Sequence, residues 1–192
     1  MSLELTRRLQ SEKTFYRIFY QDPLVSHKIK LALQSLLAQQ YRQGQQLVVL
    51  CIGTDRSTGD ALGPFIGTQL ERLALSDIVV LGTLEEPVHA INLEETIASI
   101  HKNYVDNFII AIDACLGQAE SIGMIDIGLG PVKPGAGVSK KLPAVGNIYI
   151  NGIVNVGGFL EYYVLQNTRL NIVIKLAEAI IRGLYLALTE ST

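Results

Sequence analysis

Two continuous apolar runs, LVVLCI at residues 47–52 and FIIAI at residues 108–112, constrain the fold of this chain more than any other feature. Runs of this length without polar alternation indicate strands buried on both faces, as in parallel sheets covered by helices. Each run leads into a polar turn with a carboxylate, Asp60 after the first and Asp113 directly after the second. Because parallel strands end at one edge of a sheet, where α/β folds bind ligands, the sequence predicts one crevice that holds both acids.

The segments around these runs alternate between strand-like and helix-like patterns. Short apolar runs are each followed by a stretch with apolar residues at helical spacing. Such alternation implies right-handed crossovers and a largely parallel sheet covered by helices on both sides. The predicted strands are residues 47–52, 78–81, 108–112, 123–127 and 147–154, and the predicted helices are residues 60–73, 92–103, 158–166 and 170–188.

The N-terminal part of the chain carries the pattern of two amphipathic helices, at residues 3–20 and 26–41. A chain of 192 residues is long enough for one sizeable hydrophobic core. We therefore predict a single domain with a helical N-terminal extension at residues 1–45, dispensable to the sheet, and an α/β core at residues 46–192. The amphipathic faces of the extension favour self-association into a homo-oligomer.

The charge balance argues against nucleic-acid and membrane partners. The chain has 16 Lys and Arg residues against 18 Asp and Glu residues, and its basic residues are scattered. No broad basic field is therefore available to attract nucleic acid or an anionic membrane surface. The most apolar stretch is interrupted by Lys175, Glu178 and Arg182, which share one side of the predicted helix, so it reads as a surface helix and not a membrane span.

Cysteine usage and the N-terminal sequence indicate a cytoplasmic protein. The two cysteines, Cys51 and Cys115, form neither a disulfide framework nor a zinc-ligand spacing, which fits a reducing interior. Buried, inert thiols are the favoured interpretation for both, because no base lies near them in the sequence. Residues 1–10 are polar and lack the pattern of a targeting signal.

Three glycines, Gly53, Gly59 and Gly63, surround the first carboxylate. Glycines in a strand-to-helix turn are typical of phosphate-binding loops, but their spacing here fits neither the Walker pattern nor the dinucleotide pattern. Asp60 also stands where a phosphate-binding lysine is expected, so nucleotide binding is excluded. The positive end of a helix dipole stabilises a carboxylate. Asp60 is therefore a base, a metal ligand or a simple helix cap.

Asp113 follows a buried run, where a charge is costly unless it is paired, hydrated or bound to metal. One alternative is an internal acid satisfied by the amides of the following loop. If the two aspartates lie together, either a protonated acid and a carboxylate activate water, or two carboxylates hold a cation that does so. A cation needs further ligands. Of the three histidines, His89 in the loop EEPVHA falls near the crevice, and a surface position is favoured for it.

Other polar groups near the predicted crevice are weaker candidates. Glu85 and Glu86 are adjacent acids in a loop, and such pairs are usually solvated. The loop at residues 128–146 is rich in Gly, Pro and Lys and is too long for a plain connection, which favours close backbone approach or mobility. Asn155, after the last predicted strand, is expected to reach the crevice.

The aspartate motifs resemble those of the germination protease of spore-forming bacteria, and most closely those of its small relatives, the YyaC-type sporulation proteins. GTDRSTGDALGP at residues 53–64 is similar to a protease motif whose essential aspartate falls on Asp60. DNFIIAIDACLG at residues 106–117 is similar to its Ile-Asp-Ala motif, which falls on Asp113. PGAGVSKK at residues 134–141 resembles its Pro-Gly-Ser-Gly-Val loop.

This resemblance implies a three-layer α/β/α sandwich, a fold that the germination protease shares with hydrogenase maturation endopeptidases. It also implies that Asp60 and Asp113 are the catalytic pair and that the Pro-Gly-Ser-Gly-Val-like loop lies beside them. On this basis we assign residues of the two loops and one strand end to substrate binding. They are Gly53, Thr54, Asp55, Gly135, Gly137 and Asn155.

The hydrogenase maturation endopeptidases bind nickel through an acid at each of the two aspartate places plus a histidine. That histidine has no evident counterpart in this sequence, so we assign no metal and no cofactor. The sequence also departs from the germination protease, with Thr54 in place of an asparagine, Thr58 and Gly59 in place of Thr-Pro, and a shorter chain.

Three functional hypotheses follow. The first is an endopeptidase of the germination-protease type, active in sporulation or spore germination, in which the two aspartates activate water against a peptide bond of small acid-soluble spore proteins. The second is a non-catalytic sporulation protein that binds a peptide or protein partner in the same crevice. The third is a metal-dependent hydrolase. All three are expected inside the spore or forespore, without nucleic-acid or membrane partners.

Overall fold

A six-stranded β-sheet lies at the centre of the computed structural model, which describes residues 14–135 and 142–190. The strands are β1 (Phe15–Phe19), β2 (Gln46–Cys51), β3 (Ile78–Leu81), β4 (Asn107–Gly117), β5 (Met124–Leu129) and β6 (Ile148–Val156). The α-helices are α1 (Val25–Gln40), α2 (Leu62–Arg72), α3 (Leu93–Asn103), α4 (Glu161–Gln166) and α5 (Leu170–Thr189). A short 3₁₀ turn, Gly59–Ala61, precedes α2.

The sheet is mostly parallel, as the alternation of strands and helices predicts. Its strand order is β1-β5-β6-β4-β2-β3. The pairs β2/β3, β2/β4 and β4/β6 are parallel, whereas β5 is antiparallel to both β6 and β1. All strands except β5 therefore run in one direction, and the carboxyl ends of β2, β3 and β4 meet at one edge.

Helices cover the sheet on both faces, which gives three layers. Alternate residues of β2 point to opposite sides. Leu47 and Val49 join the larger core beneath α1, α2 and α5, whereas Val48 and Leu50 join a smaller core with Leu93 of α3. The continuous apolar run is thus buried on both faces, and the predicted α/β/α sandwich is confirmed.

One prediction for the N-terminal segment is wrong. A strand occupies residues 15–19, where a helix was predicted over residues 3–20. Ile18 is buried, and Arg17 forms a two-pronged ion pair with Asp126 of β5, with both N···O distances at 2.7 Å. Aromatic and β-branched residues in TFYRIFY favour a strand when a sheet edge is available. The part of this prediction that covers residues 3–13 lies outside the described residues.

Helix α1 is integral to the main core, which corrects the expectation of a dispensable extension. Ile29, Ala32, Leu33 and Leu36 are fully buried, and α1 packs along α5. The approach is so close at Gly183 that a Cβ there would lie 2.4 Å from Cγ2 of Ile29. Strand β1 and helix α1 therefore complete the sheet and its larger helical layer.

Two further element bounds affect the site. Strand β4 continues to Gly117, beyond the predicted end at residue 112, so Asp113 lies within the strand and not after it. Helix α2 starts at Leu62, two residues after Asp60, which sits in the preceding 3₁₀ turn. Within residues 14–135 and 142–190, none of the helices combines the length and apolar character that a bilayer crossing requires.

Replacement of Gly183 by alanine tests whether α1 is held against α5. We expect Gly183→Ala to lower the free energy of unfolding by up to about 2 kcal/mol, because an overpacking cost of roughly 1–3 kcal/mol is only partly offset by a gain in helix propensity of about 1 kcal/mol. Urea denaturation measures the change. Arg182→Ala, at an exposed position of the same helix, is the control and should shift stability by no more than about 0.5 kcal/mol. Equal stability of the two variants would contradict the tight helix contact.

Candidate active site

The turn that carries Asp60 folds back tightly against the end of β2. Gly53 has a φ of +140°, and a Cβ there would lie 2.0 Å from the carbonyl oxygen of Asp60. The N–H of Thr54 donates a hydrogen bond to the same carbonyl at 3.2 Å. Only glycine at position 53 combines this backbone conformation with this contact. The sequence GTDRSTGD therefore returns Asp60 to the carboxyl edge of the sheet.

Asp113 is held within strand β4 and is only 6% exposed. Ile109 and Ala111 of the same strand belong to the core under α3, so alternation places Asp113 on that face. Its register partner on β6 is Asn151. The Oδ1 atom of Asn151 is buried and has no hydrogen-bond partner among the described residues. An unused acceptor is therefore present on the strand next to Asp113.

Asp60 and Asp113 line one cavity of about 40 Å³ at the carboxyl edge of the sheet. A cavity of this size has room for about one to three water molecules. Its other walls come from the ends of β2 and β4, the loop before α3 and the long loop after β5. The lining residues are Ile52, Gly53, Asp60, His89, Ala90, Asp113, Ala114, Pro134, Gly135 and Leu142. The structure therefore brings Asp60 and Asp113 to one cavity, and their catalytic roles stay a prediction.

Burial affects the two aspartates to different degrees. Burial, followed by the negative charge of Asp60, raises the pKa of Asp113 well above 3.8, despite an opposing hydrogen bond from the N–H of Ala114. Burial raises the pKa of Asp60 to about 6, while the N–H of Thr54 and the imidazole of His89 act in the opposite direction. Asp113 therefore holds its proton more strongly than Asp60 does, which makes Asp113 the better proton donor of the pair and Asp60 the better acceptor.

His89 lies half-buried in its loop and lines the aspartate cavity. Its backbone N–H donates to Oδ1 of Asn92 at 2.8 Å, and the N–H of Ile91 donates to its Nδ1 at 3.3 Å. Because Nδ1 accepts a hydrogen bond, a neutral imidazole carries its proton on Nε2. The signal in the sequence is position, since His89 lies in the loop after the predicted strand at residues 78–81 and parallel strands end at the same edge.

The residues assigned to substrate binding are only partly brought together. Gly53 and Gly135 line the cavity, and the backbone of Thr54 contacts Asp60. Asp55 is exposed and does not line the cavity. The assignment of Gly137 lies outside the described residues.

Asn155 does not reach the cavity, which corrects its expected place. Its Nδ2 donates to Oγ1 of Thr168 at 3.2 Å and to the carbonyl oxygen of Val164 at 3.4 Å. A Cβ at Gly59 would lie 2.9 Å from the same Thr168 oxygen, because the turn before Asp60 packs on the junction of α4 and α5. Asn155 thus fixes the junction on which the Asp60 turn rests.

Both thiols are poor nucleophiles. Burial raises the pKa of Cys51. Burial, followed by the charges of Asp113 and Asp126, raises the pKa of Cys115 to about 12. Thiolate is the reactive form of cysteine, so neither side chain is activated near neutral pH.

The described residues do not supply a ligand set for a metal ion. Across residues 14–135 and 142–190, no group of three or more His, Cys, Asp and Glu side chains is arranged to hold one. Asp60, Asp113 and His89 line the same cavity, but their side chains do not form a group that could hold a metal ion. The site therefore does not fit a nickel centre built from two acids and a histidine, and the assignment of no metal stays a prediction.

The fold and the cavity define a class of α/β/α protein with one buried and one half-buried aspartate at the carboxyl edge of parallel strands. The chain belongs to the family described as "Protein of unknown function (DUF1256)", whose model matches residues 17–183. It is 53% identical over 162 residues to "Uncharacterized protein YyaC" of Bacillus subtilis (strain 168). The match covers 83% of this chain and 78% of the relative. The YyaC-type resemblance is confirmed.

Among solved structures, the chain is similar to the crystal structure of a NiFe hydrogenase maturation protease, HycI, from Thermococcus kodakarensis KOD1. The two are 16% identical, the TM-score is 0.46, and the match covers 80% of this chain and 98% of the other.

Replacement of Asp60 by asparagine should change how stability depends on pH. The folded-state pKa of about 6 lies above the ordinary 3.8, so the folded protein binds more protons between these values and its stability falls as pH rises from about 4 to about 6. Asp60→Asn removes this loss, which is on the order of 1–2 kcal/mol because the side chain is partly exposed. Urea denaturation at several pH values measures the difference between variant and parent.

Asp77→Asn is the matched control for this experiment. Asp77 is exposed and has a φ of +62°, a conformation that asparagine also tolerates. Its curve should run parallel to that of the parent. A difference between Asp60→Asn and the parent that stays constant from pH 4 to pH 7 would show that burial does not raise the pKa of Asp60.

Proposed function

We propose that this protein is an aspartate-dependent endopeptidase of the germination-protease type. One observation carries the proposal: Asp60 and Asp113 share a small cavity in which one is buried more deeply than the other. Paired acids in unequal environments separate into a proton donor and a proton acceptor, which is what water-mediated attack on a peptide carbonyl requires.

The unequal burial assigns a role to each acid. The carboxylate of Asp60 takes a proton from a water molecule as its oxygen attacks the carbonyl carbon, while the protonated Asp113 donates to the carbonyl oxygen. A tetrahedral intermediate forms. Asp60 then returns its proton to the amide nitrogen, the C–N bond breaks, and the proton on the former carbonyl oxygen goes back to Asp113. The products are a carboxylic acid and an amine.

The motif resemblance supports the biological context of this proposal. The residues around both aspartates are similar to those of the germination protease, so we propose small acid-soluble spore proteins as substrates. The interior of the spore or forespore is then the place of action, during sporulation or germination. We also propose that the chain associates with itself into a homo-oligomer.

The small volume of the cavity favours a second candidate function. A volume of about 40 Å³ accommodates water more readily than a peptide group. A non-catalytic sporulation protein that binds a peptide or protein partner over this crevice, with the acids holding its loops, accounts for so narrow a cavity.

Substitution of either aspartate separates the two candidates. We expect Asp60→Asn and Asp113→Asn each to reduce kcat for small acid-soluble spore proteins by at least about 100-fold, because each removes a proton-transfer group. Fragments separated by electrophoresis and identified by mass spectrometry report cleavage, and circular dichroism confirms folding. Asp77→Asn, an exposed position away from the cavity, should keep the parent rate.

The absence of cleavage by the parent protein, together with measurable binding of the same substrates, would support the non-catalytic candidate. Cleavage that a chelator abolishes and a divalent metal restores would contradict the metal-free mechanism. Unchanged turnover in either asparagine variant would remove that aspartate from the catalytic pair.

The rate of cleavage should depend on pH in a bell-shaped manner. Activity should rise as pH passes about 6, because Asp60 must be ionised, and fall at higher pH, where the buried Asp113 loses its proton. The two apparent pKa values belong to the coupled pair. A profile of kcat/KM against pH with a fluorogenic peptide measures both limbs, and a rate that is flat from pH 5 to pH 9 would contradict this assignment.

A further inference from the structure

Strand β3 leaves one edge of the sheet open. It stands last in the strand order and, within the described part of the chain, pairs only with β2. All of its residues, Ile78–Leu81, are half-buried. The N–H and C=O groups on the outer side of an edge strand can pair with an extended peptide, which then joins the sheet as a further strand.

A groove of about 690 Å³ lies beside the carboxyl-terminal half of this open edge. Val80 and Leu81 of β3 form part of its lining, Glu71 of α2 lies in one wall, and Asn92 and Thr96 at the start of α3 lie in the other. Its volume is within the range of pockets that hold drug-sized ligands. The groove is therefore placed where a strand added to β3 would run.

His89 lines both the groove and the aspartate cavity, so the two are neighbours. Because β2 and β3 are parallel, the carboxyl end of β3 lies at the same edge as Asp60. A strand beside β3 would lie three strand spacings, or about 14 Å, from β4 and Asp113. About four extended residues cover that distance. A peptide in the groove can therefore also reach the cavity.

The lining of the groove is acidic. Glu71, Glu85 and Glu86 contribute to it, and none of the described lining residues is a lysine or an arginine. The ion pairs within the described residues use none of these three glutamates. Their charges are therefore available to a ligand, and charge complementarity favours a cationic one.

We propose that the β3 groove binds an extended peptide that carries lysine or arginine residues. The peptide adds a strand to β3 through backbone hydrogen bonds, and its basic side chains face Glu71, Glu85 and Glu86. The chain continues past His89 to the aspartate cavity, a last step that rests on the proposed peptidase function. A basic residue about four or more positions from the cleaved bond is then the specificity element of the substrate.

Binding by a catalytically substituted protein tests the groove independently of cleavage. The probe is a fluorescein-labelled octapeptide of alternating lysine and valine, added to the full chain carrying Asp113→Asn, with fluorescence anisotropy as the measurement. Adding Glu85→Gln and Glu86→Gln should weaken binding about five-fold, as expected for two exposed ion pairs, and make it less sensitive to salt.

Glu94→Gln with Glu95→Gln is the matched control, because these adjacent acids lie in the first turn of α3, are exposed and do not line the groove. This pair should leave binding within two-fold of the Asp113→Asn parent. Equal losses from both pairs would mean that overall charge, and not the groove, attracts the peptide. That result would overturn the proposal.

Two modified peptides test the remaining elements. Norleucine in place of lysine should weaken binding to the level of the Glu85→Gln, Glu86→Gln protein, and undiminished binding would overturn the basic specificity. N-methylation of alternate amides should weaken binding at least ten-fold, because it blocks pairing with β3. Undiminished binding of the methylated peptide would overturn strand addition.

The same variants separate this inference from the peptidase proposal. Groove binding without any cleavage by the parent protein would support the groove and contradict the peptidase. Cleavage with a KM that Glu85→Gln and Glu86→Gln leave unchanged would support the peptidase and contradict the groove.

Discussion

Backbone packed directly against backbone at the end of β2 is the contact on which the rest of the site depends. A Cβ at Gly63 would lie 2.1 Å from the carbonyl oxygen of Ile52, and one at Gly82 would lie 1.8 Å from that of Cys51. Glycine at these positions lets α2 and the loop after β3 close over the strand end. The loops that follow β2 and β3 thereby converge on the same edge as Asp113. The cavity follows from that convergence.

The same closure sets the chemistry of the two acids. A charged group removed from water is costly, so a fold that buries two carboxyl groups together gives up stability at this point. Asp113 lies inside a strand and Asp60 in a turn, and this difference in depth makes one acid retain its proton more strongly than the other. In the proposed mechanism, the secondary structure therefore sets which aspartate donates a proton and which accepts one.

The sequence predicts the central layers of this molecule better than its periphery. The runs before Asp60 and Asp113 are short, continuously apolar and followed by polar turns, a pattern typical of a strand buried on both faces. TFYRIFY fits both a helical and a strand period, and only pairing with β5, distant in the chain, makes it β1. Asn155 is a polar residue at a strand end. Such a residue fits a position in the crevice as well as it fits the helix junction where Asn155 lies. His89 lacks any motif and is recognised only once the strand order is known.

The pairing of β1 with β5 also has a consequence for how the chain acquires its fold. Arg17 and Asp126 are 109 residues apart, so β1 leaves the ribosome long before its partner strand β5 is made. Contacts between such distant segments form late and slow folding. Until then, the aromatic side chains of β1 lack their neighbours, and the nascent chain is exposed to aggregation during synthesis.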